Sequence, residues 1–172
     1  MNYVIWGIIV FGVTGLVTGL LGDFMLLGYA IMGAIVGGTL PGLTGNSKRT
    51  GMGILLGTVG FFIGFVSMFF LVLAIWEPPF LSLVFIGLFA GAISGLFLGL
   101  ILKKKKATGI LTLMGAVGFA LGFGLIEGLN QLTPLSSKLS PVVWSGLTMM
   151  LASIIGGIGI GIGINYVMKR EK

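Results

Sequence analysis

The chain has 172 residues, of which 56% are hydrophobic and 8% are charged, and its mean hydropathy is +1.18. A soluble domain normally has about one quarter charged residues, so this composition excludes a water-exposed globular fold and is typical of a protein solvated by hydrocarbon. Cysteine and histidine are absent, which removes disulfides, thiolate nucleophiles and the usual zinc and haem ligands. The formal charge of +6 would suit nucleic-acid binding, but the positions of the charges indicate membrane topology instead.

Six segments are long and apolar enough to cross a bilayer, which takes about 20 residues each. They are predicted at roughly 3–22, 24–43, 52–76, 80–102, 107–129 and 141–168. Asp23 alone separates the first two, so these must form a tight helical hairpin. The first segment has no basic leader, and we expect it to be retained as a span rather than cleaved as a signal peptide. The sequence therefore predicts an all-α integral membrane protein with six transmembrane helices in a single membrane domain, 1–172.

Basic residues fall almost entirely on one side of this six-span topology. Only Lys138 lies on the other side; nine of the ten lie together: Lys48, Arg49, Lys103, Lys104, Lys105, Lys106, Lys169, Arg170 and Lys172. Because short loops rich in Lys and Arg stay in the cytoplasm, both termini are expected to be cytoplasmic. The same residues would also suit anionic lipid head groups, although fixing the topology is their simpler role.

Two stretches of the chain repeat each other. Residues 33–65 align without gaps on 91–123, with 15 identities in 33 positions, whereas composition alone would give about a tenth, so duplication is the better account. The first and sixth spans carry related glycine spacings. We interpret the chain as three parallel helical hairpins related by a pseudo-threefold axis along the membrane normal, approximately 3–43, 52–102 and 107–168.

Many of the 32 glycines recur every fourth residue. This spacing removes side chains from one helix face and lets two helices approach closely in a membrane. The expected glycine-zipper packing positions are Gly15, Gly19, Gly33, Gly37, Gly60, Gly64, Gly91, Gly95, Gly99, Gly118, Gly122, Gly157 and Gly161. The alternative is that some of these glycines line a narrow pore or a slot for a bound lipid, quinone or carotenoid.

Three acidic residues are predicted near the outer ends of spans: Asp23, Glu77 and Glu127. An acid inside a bilayer is energetically costly and often functional. Glu127 is the strongest candidate of the three for a functional role, because it follows about eighteen mostly apolar residues. One acid per hairpin would form an outer ring that attracts cations. Three solvated helix ends are the simpler interpretation, and we favour it.

The sequence favours no catalytic function. It shows no nucleophile–base pair, no metal cluster and no ionisable group at a span centre, which argues against an enzyme and against ion-coupled transport. We predict a non-catalytic accessory or structural subunit that packs within a larger membrane complex and contacts lipids, other membrane subunits or its own copies. The alternative is a passive channel or carrier for a small or apolar permeant along the pseudo-threefold axis. A centre filled by Phe and Leu would favour the subunit; a lumen lined by Ser94, Thr58 or glycine backbone would favour transport.

Overall fold

The computed structural model of the chain describes residues 2–74, 79–132 and 138–169. The described residues contain six helices and two short 3₁₀ turns, and no strand. The helices are α1 (Tyr3–Leu20), α2 (Met25–Leu43), α3 (Thr50–Ala74), α4 (Pro79–Leu102), α5 (Lys105–Leu132) and α6 (Pro141–Lys169). All six are long and apolar enough to cross a membrane, which confirms the predicted all-helical class and the six membrane-length helices.

The helix ends follow from local sequence. The Asn2 side chain caps α1 by accepting a hydrogen bond from the Val4 amide at 3.0 Å, as N-cap residues do. Proline begins α4 at Pro79 and α6 at Pro141, the positions where a missing N–H costs least. Pro41 lies in the last turn of α2.

The fifth helix is longer than the sequence predicted. We expected a break beginning at Asn130, but α5 continues to Leu132. The Glu127 carboxylate accepts hydrogen bonds from Asn130 Nδ2 at 3.3 Å and from Gln131 Nε2 at 3.2 Å. These partners lie three and four residues further along the chain, which is the spacing that supports another helical turn.

The six helices form a closed ring in chain order, in which each helix contacts its neighbours in the sequence and α6 also contacts α1. The two chain ends meet, since Asn165 Nδ2 of α6 donates to Asn2 Oδ1 at 3.4 Å. At the same end, the Tyr3 hydroxyl donates to the Leu43 carbonyl oxygen at 3.5 Å. We call this end, which also carries the α2–α3 and α4–α5 loops, the basic end, and the opposite end the acidic end.

The outside of the ring is apolar. Val13, Leu113 and Leu121 are about 60% exposed at 59%, 60% and 57%, and such surfaces are stable only against hydrocarbon. Threonine hydroxyls within the spans donate to carbonyl oxygens of their own helix, as Thr58 does to Ile54 at 2.8 Å and Thr112 does to Thr108 at 2.7 Å. These bonds satisfy the hydroxyl protons without water.

Candidate functional site

At three interfaces of the ring, a pair of glycines brings the two helix backbones into direct mutual contact. At the α2–α3 interface, a Cβ added to either Gly33 or Gly57 would collide with the carbonyl oxygen of the other. The same mutual collision occurs at α4–α5, with Gly91 and Gly115, and at α6–α1, with Gly157 and Gly7. The first and last helices therefore meet through the same kind of contact as two helices that are joined by a short loop.

All thirteen glycines that the sequence singled out face a neighbouring helix. A Cβ at any of them would lie within 3.3 Å of an atom of that helix, which is tighter than ordinary van der Waals contact. Other glycines in the helices have open space instead: nothing lies within 4 Å of a Cβ at Gly42, Gly51, Gly109 or Gly128. The close contacts are thus confined to particular positions rather than spread over every glycine.

Sequence reasoning overlooked Gly7 and the phenylalanine that follows it by four residues. The pattern Gly-x-x-x-Phe occurs at Gly7, Gly57 and Gly115, ending at Phe11, Phe61 and Phe119. Comparing the first span with the aligned repeat at this spacing would have found it. The Cβ atoms of these phenylalanines lie against glycines of the neighbouring helix, which are Gly157 for Phe11, Gly33 for Phe61 and Gly91 for Phe119.

These three phenylalanines meet in the hydrophobic core. Phe11 is 0% exposed, and its ring centroid lies 6.0 Å from that of Phe61 and 6.0 Å from that of Phe119. Trp6 packs edge-on against Phe11 with centroids 6.1 Å apart. Such spacings are typical of favourable aromatic contacts. One aromatic ring from each of α1, α3 and α5 therefore fills the middle of the structure.

An aliphatic layer lies between the phenylalanines and the basic end. It consists of Leu40, Leu98 and Ile164, one from each of α2, α4 and α6, and all three are fully buried at 0% exposure. Val36 and Ile160, one turn away on α2 and α6, are buried as completely. Together the two layers bring one buried side chain from each of the six helices into the middle of the ring.

A cavity lies on each side of this filled middle. The one at the basic end has a volume of about 240 Å³, and Thr44, Leu102 and Met168 from three different helix ends line it, with Arg49 and Lys104. The one toward the acidic end is smaller, about 140 Å³, and is lined by Leu83, Phe123, Ile126, Thr148 and Met149. Neither cavity includes a residue of the Phe11 cluster or of the Leu40 layer.

The polar residues expected to line a pore are not brought together. Ser94 is buried at 4% exposure. Thr58 lies on the same face of α3 as the exposed Leu55 and Phe62 and bonds to its own helix. Thr14, Thr18 and Ser153 are also buried, and the first two donate to carbonyl oxygens of α1.

The acidic residues occupy separate places. Asp23 is exposed in the 3₁₀ turn between α1 and α2. Glu127 is half-buried in the last turns of α5 and bonds to Asn130 and Gln131. Glu77 lies outside the described residues, so the outer acidic ring stays a prediction. In the described part of the chain, no group of three His, Cys, Asp or Glu side chains is placed to hold a metal ion.

The basic residues divide into two groups. Arg49 and Lys104 are half-buried and line the cavity at the basic end. The others that the structure describes at this end are exposed: Lys48, Lys103, Lys105, Lys106 and Lys169. Arg170 lies outside the described residues.

An apolar groove of about 420 Å³ runs along the outside of α5, where Val84 of α4 and Gly124 and Gly128 of α5 line it together with neighbouring alanine and leucine side chains.

Neither a protein-family model, nor a curated protein, nor a solved structure gives a significant match to the chain.

Proposed function

We propose that the chain is a non-catalytic membrane protein that serves as an accessory or structural subunit in a larger membrane complex. The observation that carries this proposal is the filled centre, where Phe11, Phe61 and Phe119 meet and Leu40, Leu98 and Ile164 are fully buried. A packed core of this kind stabilises a scaffold.

The groove on α5 supports a contact with a transmembrane helix of a partner protein. Gly124 and Gly128 line it, and when the offset of the internal alignment is continued past its end, the corresponding positions of α3 are Val66 and Phe70. Two positions that carry large side chains in α3 are therefore glycine in α5. Helices in membranes associate where small residues let backbones approach, so this surface fits a partner helix better than the corresponding face of α3 does.

The finer architecture that we propose is a threefold repeat packed by glycine zippers. The mutual glycine contacts and the Gly-x-x-x-Phe pattern support a unit of two helices that meet at the basic end: α2 with α3, α4 with α5, and α6 with α1. The hairpins at 3–43, 52–102 and 107–168 have the same threefold symmetry, but they pair α1 with α2, α3 with α4 and α5 with α6. The backbone contacts favour the other pairing, in which the third unit, α6 with α1, joins the two ends of the chain.

Isolation of the native protein tests the subunit proposal. After solubilisation in a mild detergent, the protein is expected to co-migrate reproducibly with the same membrane protein. Gly128→Leu fills the groove and is expected to abolish this association, whereas Gly109→Leu on the same helix is expected to preserve it. Nothing lies within 4 Å of a Cβ added at either position, so we expect both side chains to point away from the neighbouring helices and the ring to stay folded. Recovery of the wild-type chain as a lone species would refute the subunit proposal.

A second candidate is a passive channel or carrier for a small or apolar permeant along the pseudo-threefold axis. The two cavities of about 240 Å³ and 140 Å³ on either side of the filled middle favour it, because hydrophobic constrictions can gate a pathway by excluding water. This function requires the phenylalanine cluster to move apart. Solute flux across liposomes that contain the purified protein, above that of protein-free liposomes, would support this second function.

A further inference from the structure

We propose that the cavity toward the acidic end is a binding site for a small uncharged molecule that consists of one aromatic ring with a hydroxyl group, which is a simple phenol. The cavity has a volume of about 140 Å³. An apolar cavity of about 150 Å³ inside a protein is large enough to take up benzene, so this one has room for a single ring. Such a site does not depend on whether the six helices act as a subunit or as a conduit.

Three helices supply the described lining of this cavity. The lining residues are Leu83 of α4, Phe123 and Ile126 of α5, and Thr148 and Met149 of α6. Phe123 and Ile126 belong to the hydrophobic core, and Leu83 and Met149 pack against it, so the cavity lies inside the ring of helices. Small-molecule sites usually combine such apolar side chains with a few polar groups that fix the orientation of the ligand.

The internal repeat indicates what could occupy the space beside Phe123. Its aligned counterpart in α3 is Phe65, whose ring packs against that of Tyr29 in α2 with the centroids 4.7 Å apart. When the offset of the alignment is continued before its start, the position of α4 that corresponds to Tyr29 is Gly87. Because Gly87 has no side chain, α4 offers no ring there, and Phe123 lines a cavity instead. A ligand of one aromatic ring would give Phe123 the kind of favourable contact that Tyr29 gives to Phe65.

Two acceptor groups in the lining favour a ring that carries a hydroxyl. The Thr148 hydroxyl donates its proton within α6, toward the carbonyl oxygens of Trp144 and Ser145 at 2.9 and 3.0 Å, so its oxygen can accept a hydrogen bond. The Met149 sulfur already accepts from the hydroxyl of Tyr29 at 3.6 Å. A phenol in the cavity would therefore find an acceptor in Thr148, as the phenol side chain of Tyr29 finds one in Met149.

Fluorine NMR with two ligands tests this site. 4-Fluorophenol and fluorobenzene are each titrated into the purified protein in a neutral detergent and into protein-free micelles of the same detergent. Partition into micelles rises in proportion to the ligand, whereas binding to a cavity saturates. Leu83→Trp places an indole ring at the cavity, and its matched control, Leu81→Trp, adds the same ring to the exposed surface of α4.

The wild-type protein and Leu81→Trp are expected to bind both ligands saturably, and Leu83→Trp is expected to bind them at least about tenfold more weakly, because the indole ring takes the space of the ligand. Thr148→Val keeps the branched shape of the side chain but removes the acceptor. It is expected to weaken the binding of 4-fluorophenol about three- to tenfold and to leave that of fluorobenzene unchanged.

Three results would overturn the proposal. They are the absence of saturable binding by the wild-type protein, equal binding by Leu83→Trp and Leu81→Trp, and an equal effect of Thr148→Val on the two ligands. If Leu83→Trp fails to fold, the comparison of the two ligands with Thr148→Val still decides, because a selective loss of 4-fluorophenol requires that its hydroxyl contact this side chain.

Discussion

Gly115 of α5 allows the close backbone packing to be tested quantitatively. A Cβ added there would collide with the carbonyl oxygen of Gly91 and lie 3.2 Å from Cδ1 of Ile160. The carbonyl oxygen belongs to the backbone of α4 and cannot rotate away, so Gly115→Ala must push α4 and α5 apart. Overpacking of this kind costs about 1–3 kcal/mol.

Gly109 and Gly128 in the same helix supply matched controls, since nothing lies within 4 Å of a Cβ at either position. Alanine is a better helix former than glycine by about 1 kcal/mol, and all three substitutions share this backbone gain. The difference between Gly115→Ala and Gly109→Ala therefore isolates the packing cost. We expect Gly115→Ala to be about 1–3 kcal/mol less stable than Gly109→Ala, which is roughly 5- to 150-fold in the unfolding equilibrium.

The assay is reversible unfolding in mixed micelles with an increasing fraction of a denaturing detergent, followed by circular dichroism. Gly109→Ala and Gly128→Ala are expected to match or exceed the stability of the wild-type protein. If Gly115→Ala is as stable as the two controls, the α4 and α5 backbones do not touch as described, and the reasoning about glycine contacts fails.

Three further predictions concern the core, a loop and the topology. Phe119→Ala empties part of the aromatic cluster and is expected to cost about 3–5 kcal/mol, whereas Leu121→Ala, on the exposed face of α5, is expected to change the same unfolding free energy much less. Lys103 has a φ of 53°, a backbone conformation that favours glycine, so Lys103→Gly is expected to raise the unfolding free energy by about 1 kcal/mol. Lys103→Ala keeps a Cβ and is expected to give no such increase. Because the chain lacks cysteine, single cysteines at Lys105 and Asp23 can be labelled with an impermeant maleimide in intact cells. Labelling of the Asp23 position alone is expected if the basic end is cytoplasmic, and the reverse pattern would contradict the topology.

The sequence predicted the helices well because their determinants are local. Long apolar stretches, interrupted by charged or proline-rich breaks, define each span without reference to the rest of the chain. The misplaced end of α5 has a local cause too, since Asn130 and Gln131 read as loop residues but bond back to Glu127. The glycine-zipper packing stays a prediction, although a Cβ added at each of the thirteen glycines would meet a neighbouring helix.

The arrangement of the ring could not be predicted in the same way. Contact between Gly7 and Gly157 joins residues at opposite ends of the chain, and no loop length indicates it. Phenylalanine is equally suited to lipid and to protein interiors, so composition could not distinguish the buried Phe61 from the neighbouring Phe62, which is 40% exposed. The cavity at the basic end depends on how Arg49 and Lys104 from two loops face one recess, which is a property of the assembled ring.

Solute flux in proteoliposomes is the most direct test of the central claim, that the ring is closed at its middle and works by packing against partners. The purified wild-type protein is reconstituted, and the passage of water, glycerol and potassium is measured against protein-free liposomes of the same lipid. We predict no flux above that of the protein-free liposomes, because Phe11, Phe61 and Phe119 fill the core. Reproducible, protein-dependent flux of any of these solutes through the wild-type chain would contradict the account and favour the channel.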